Sequence, residues 1–121
     1  METNTTRKVR MNTDRELLEL AAKAAGMHPD HWQWNGYGIQ ELAAHGVPHC
    51  GFQGAIWNPL ADDGDALRLA VQLGLGVRND LYTDAVFVSC FEIGGVEVLY
   101  GRDRFAATRR AIVRAAAEIG K

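Results

Sequence analysis

A chain of 121 residues that is 47% hydrophobic and 23% charged fits one domain with enough apolar material for a real core. A formal net charge of -2 lacks the basic excess of a dedicated nucleic-acid binder, so no extended nucleic acid is expected as a partner. No apolar run approaches the roughly 18 residues that span a bilayer, the chain opens without the apolar core of a signal peptide, and Cys50 and Cys90 are too few for a disulfide framework. Together these features predict a cytoplasmic protein with no membrane partner.

Residues 1–10 are polar and carry Arg7, Lys8 and Arg10 without an apolar period, which predicts a flexible extension ahead of a single domain over residues 11–121. Thr13-Asp14-Arg15-Glu16 is a capping box, because the Thr13 hydroxyl can accept from the Glu16 amide while the Glu16 carboxylate returns to the Thr13 amide. The helix it starts has an apolar face of Leu17, Leu18, Leu20, Ala21, Ala24 and Ala25, and Gly26 ends it ahead of Pro29. Residues 28–38 predict a strand or wide loop with Trp32 and Trp34 on one side and glycines around Tyr37. Residues 39–48 give no firm assignment. Residues 50–57 read as a strand that Asn58-Pro59 closes.

Asp62 or Asp63 can then cap a helix whose positive end also attracts Asp65. Leu67, Ala70 and Val71 recur at helical spacing, Leu69 and Leu73 widen the stripe, and Gly74 supplies a left-handed stop, so a buried helix is expected. A short strand over residues 75–78 precedes a turn at Asn79-Asp80. Residues 85–92 form the strongest strand, and Gly94-Gly95 turns it into residues 96–100. Asp103 caps a last helix over residues 105–119, with Phe105, Thr108, Ile112, Ala115, Ala116 and Ile119 on one face and Arg109, Arg110 and Arg114 largely outside it. Strands and helices do not alternate regularly. The expected class is therefore α+β, an antiparallel sheet of four or five strands packed with three helices.

Candidate residues exist for three kinds of chemistry: metal binding, nucleophilic catalysis, and recognition by rings and guanidiniums. His28, His31, His45, His49 and Cys50 are zinc-type donors, but they lie around glycine and proline in loop-like sequence without a paired CxxC, and ordinary histidines are the expectation. Asp62, Asp63 and Asp65 lack the distal glutamate of a calcium loop and read as helix caps. Cys50 beside His49 and Ser89 beside Cys90 are neighbours that a strand sends to opposite faces, which is the wrong geometry for a nucleophile and its base, and Cys90 is expected in the core. No phosphate loop, dinucleotide fingerprint or nucleophile elbow is present, so no enzyme activity, cofactor or metal is expected.

The third group is aromatic and basic. Trp32, Trp34, Tyr37 and Trp57, with Asn58 at the strand end, offer flat rings, and Arg102, Arg104, Arg109, Arg110 and Arg114 bring forked donors to a helix start. The pair of features suits a nucleotide-like anion. The competing reading packs the tryptophans into the core and leaves the arginines as a solvated face, with Arg114 paired to Glu118.

Residues 13–26, 57–71 and 106–120 resemble the small phage and prophage proteins grouped as the phage ABA sandwich domain family. The resemblance covers the three helices and the central strand end, about half of the chain, and family members begin near the position of Met11. It implies an α-β-α sandwich encoded by a phage or prophage, with no fixed activity or catalytic residue set. Small phage accessory proteins of this kind often act against host defence. The expected function is a non-enzymatic, homo-oligomeric binding protein that sequesters a small nucleotide-like signal using Trp32, Trp34, Tyr37, Trp57, Asn58, Arg102, Arg104, Arg109 and Arg110. The alternative is a protein-protein inhibitor of a host factor that uses the same aromatics as anchors. A third reading is a small metal-dependent hydrolase built on the histidines and Cys50.

Overall fold

The computed structural model describes residues 12–41 and 56–121. The expected extension over residues 1–10, and the donors His45, His49 and Cys50, lie outside the described residues.

The capping box forms as its spacing requires. The Glu16 amide donates to Thr13 Oγ1 at 3.1 Å and the Thr13 amide donates to Glu16 Oε1 at 2.8 Å. Helix α1 (Asp14–Ala24) buries Leu17, Leu18, Ala21 and Ala22. A single 3-10 turn, Pro29–His31, then leads into strand β1 (Trp32–Trp34). Asn35 folds the hairpin by accepting the amides of Tyr37 and Gly38, both at 2.9 Å, and strands β2 (Ile39–Glu41) and β3 (Ile56–Trp57) complete an antiparallel sheet in the order β1-β2-β3. Trp34, Ile39 and Trp57 stand in register on one face, with Ile39 wholly buried.

Helix α2 (Asp63–Leu73) starts at Asp62, whose carboxylate accepts from the Asp65 amide at 2.8 Å, and stops at Gly74 with φ of 67°. That conformation is cheap for glycine and strained for other residues. Strands β4 (Gly76–Asp80), β5 (Ala85–Ser89) and β6 (Val96–Leu99) form a second antiparallel sheet in the order β4-β5-β6. Helix α3 (Arg104–Gly120) follows its Asp103 cap.

The described residues form an α+β fold with three helices. α3 lies against α1, α2, β5 and β6, so it forms the centre of the core, and α1 also reaches β2. Its face is made small for this purpose, with Ala107, Ala111, Ala115, Ala116 and Ala117 all buried beside Ile112 and Val113. A Cβ at Gly120 would overlap the Leu20 carbonyl of α1. Because Asp14 meets Arg110 and Leu20 meets Gly120, α1 and α3 run in the same direction.

Several expectations are corrected. The described strands form two sheets of three rather than one sheet of four or five. Pro59 has no N–H to donate, so pairing ends just past Trp57 and the chain enters α2 instead of extending the first sheet. Asn79 and Asp80 continue β4, and the turn comes at residues 81–84, where Asp84 takes φ of 54°. The strongest strand ends at Ser89, leaving Cys90 half-buried in the following turn rather than in the core. α2 is buried on one side only: Ala66, Leu69 and Ala70 face inward, while Leu67 and Val71 are 63% and 73% exposed. Phe105 also points outward, because α3 is packed from two sides and its buried face runs through Ala107, Ala111 and Val113.

Candidate functional site

The tryptophans sit on the inner face of the first sheet. Trp32, Trp34 and Trp57 are half-buried and pack against the core. Trp32 Nε1 donates to the Met27 carbonyl at 3.4 Å, and the Arg15 guanidinium lies 5.8 Å from the Trp34 ring centre. Trp32 also borders a shallow groove of about 400 Å³ with Glu16, Glu19, Leu20 and Lys23. Tyr37 is exposed at the hairpin tip.

Asn58 is fully committed to holding the chain together. It is 7% exposed. Its Nδ2 donates to the Tyr37 carbonyl at 2.7 Å, its Oδ1 accepts from the Leu60 amide at 3.0 Å, and its amide donates to Asp65 Oδ2 at 2.9 Å. A buried amide with its groups satisfied in this way joins the hairpin to the start of α2 and has little left for a ligand.

Four of the five arginines divide into two pairs. Arg109 donates through Nε to the Leu60 carbonyl at 2.8 Å and through a terminal nitrogen to Asp63 Oδ1 at 2.7 Å, tying α3 to the start of α2. Arg110 reaches Asp14 Oδ1 at 3.1 Å and ties α3 to α1. Arg114 does not pair with Glu118, whose carboxylate takes Lys121 Nζ at 2.7 Å. Arg102 and Arg104, by contrast, are exposed and have no ion pair among the described residues.

Arg102 and Arg104 border an open cavity of about 1020 Å³ with Thr83, Asp84, Tyr100 and Phe105. The Arg104 guanidinium lies 5.7 Å from the centre of the Tyr100 ring, a loose cation-π contact. Tyr100 is 5% exposed, and its hydroxyl donates to Asn79 Oδ1 at 2.6 Å, which fixes the ring from behind. Asp103 Oδ1 accepts from the Phe105 and Ala106 amides at 2.9 and 3.0 Å, so the first turn of α3 is already capped. The cavity can therefore offer guanidiniums and an exposed ring, but not that helix end. None of the tryptophans borders it.

A second cavity, of about 480 Å³, was not anticipated from the sequence. Leu67, Val77, Leu81 and Phe105 form its apolar lining, with Asn79 and Arg104 among its polar residues. The signal was present in Leu67 and Phe105, but helical spacing alone assigned both to core faces. Next to this groove the Asp80 carboxyl is held below its ordinary 3.8, chiefly by the Tyr82 N–H; partial burial opposes this, and the Thr83 N–H and Arg78 reinforce it.

His28 Nδ1 accepts from the Asp30 amide at 3.2 Å, and its ring centre is 5.3 Å from that of His31. Among the described residues no group of three or more His, Cys, Asp or Glu side chains converges. No helix among them is long and apolar enough to cross a membrane. No family model, curated protein or solved structure matches the chain.

Proposed function

We propose that this chain is a non-enzymatic binding protein that captures a small nucleotide-like anion at the cavity bordered by Arg102, Arg104 and Phe105, acting as a phage accessory protein against host defence. The observation that carries the reading is the contrast within the arginine set. Arg109 and Arg110 spend their donors on Asp63, Leu60 and Asp14, whereas Arg102 and Arg104 keep theirs free beside an exposed ring. Forked guanidiniums suit phosphate oxygens, and a phenyl face suits a base. Trp32, Trp34, Trp57 and Asn58 drop out of the ligand set in this reading and act as packing and positioning groups.

Calorimetry with cyclic dinucleotides and ADP-ribose-type nucleotides tests it. Binding is expected, with the nucleotide recovered unchanged, and the double variant R102A/R104A weakens it roughly tenfold or more through the lost charge-assisted bonds. Absence of binding by every nucleotide, or affinity unchanged in the double variant, overturns the assignment.

A further inference from the structure

Strand β4 is an edge. Among the described residues it pairs only with β5, so the outer backbone groups of Gly76–Asp80 have no strand beside them. Such an edge is a template for another strand. The groove of about 480 Å³ runs along it: Val77, Asn79 and Leu81 border it from the strand side, and Leu67 and Phe105 border it from the helices. Leu67, Leu81 and Phe105 are 63%, 62% and 70% exposed, a concentration of large apolar side chains at one edge. On the opposite face of the same strand Arg78 and Asp80 lie 3.3 Å apart, and the Arg78 guanidinium sits 4.5 Å from the Phe87 ring centre.

We propose that a second copy of this chain covers this edge and groove, β4 pairing antiparallel with β4 about a two-fold axis through Asn79. The order of charges selects both the occupant and the register. In that register Arg78 stands opposite Asp80 of the second copy, and Asp80 opposite its Arg78, so both charges are matched twice across the axis. On the groove side Asn79 meets Asn79 of the second copy at the axis, and Leu81, in the turn just past β4, lies toward Val77 of the second copy, so that the two apolar grooves meet. An axis through Arg78 would instead oppose two arginines, and one through Asp80 two aspartates. The result is a continuous six-stranded sheet with β6 at each end. Arg104 and Phe105 border both cavities, but the pairing rests on Arg78, Asp80, Val77 and Leu81 and does not depend on nucleotide capture.

Sedimentation velocity on the full chain tests it. The wild-type chain is expected to be a dimer, and Arg78→Asp and Asp80→Arg each a monomer. An equimolar mixture of the two variants is expected to return to dimer, because each then meets its opposite charge. Asp80 also accepts the Tyr82 amide at 2.9 Å, so circular dichroism checks that Asp80→Arg still folds, and Leu81→Arg gives a second route to the monomer without touching that bond. A wild-type monomer at roughly 100 μM overturns the proposal, as do a dimer that survives Arg78→Asp and Leu81→Arg, and folded single variants that fail to associate when mixed. Loss of nucleotide binding with the dimer intact would overturn only the functional reading.

Discussion

Around β1–β3 the three tryptophans turn inward, whereas around β4 and the start of α3 large apolar side chains turn outward. Trp32, Trp34 and Trp57 find α1 and the core waiting for them, and Asn58 locks the strand end. Phe105, Leu67 and Leu81 find no cover within the described chain, and Arg102 and Arg104 find no acid. Ring and guanidinium chemistry is the same in both regions. What separates a packing region from a recognition region is whether the chain itself supplies the partner.

That contrast can be broken at several points. The largest expected effect is Ile39→Ala, which should cost about 2–5 kcal/mol in urea unfolding because Ile39 is wholly buried beneath the first sheet. Phe105→Ala, measured in the monomeric Leu81→Arg background, should stay within about 0.5 kcal/mol. Equal losses at the two positions would erase the distinction. Asn58→Ala should cost about 1–3 kcal/mol, since it strands the buried partners of a satisfied amide, and should leave nucleotide affinity unchanged in the protein that remains folded. Thr13→Ala removes one half of a capping box and should cost about 1 kcal/mol.

The smallest effect concerns pH. The Asp80 carboxyl is held below its ordinary 3.8, so its charged form favours the folded state above that value. This contribution disappears as pH falls through the lower folded-state value. The melting-temperature gap between the wild-type chain and Asp80→Asn should therefore be present at neutral pH and close on strong acidification. A gap that widens in acid would reverse the sign assigned to this group.

Local chemistry was legible from the sequence. The Thr13 box, the Asp62 and Asp103 caps, the Gly74 stop and the β5–β6 hairpin each depend on residues a few positions apart, and each formed as expected. Questions of pairing between distant elements were less legible. Alternation identified Trp32 and Trp34 as strand-like but carried no information on which sheet β1 would join. Helical spacing identified Leu67 and Val71 as a stripe but could not say that no element would cover it. The candidate site split for the same reason: Arg109 and Arg110 look like Arg102 and Arg104 in sequence, and only contacts 46 and 96 residues away, with Asp63 and Asp14, separate them.

The close contact of α1 with α3 bears on the order of folding. Asp14 and Arg110 are 96 residues apart in a chain of 121, so the helix pair at the centre of the core closes a loop that takes in most of the sequence. Closing it imposes an entropic penalty before the packing of Leu18, Ala21, Val113 and Ala117 is gained. Fast folding is the mark of helical bundles dominated by local contacts, and a helix pair drawn from opposite ends of the described chain is expected to slow folding relative to that. During synthesis Val86 and Val88 wait uncovered until α3 has emerged, so a nascent chain stalled before Arg104 should be a chaperone client rather than a partly active protein.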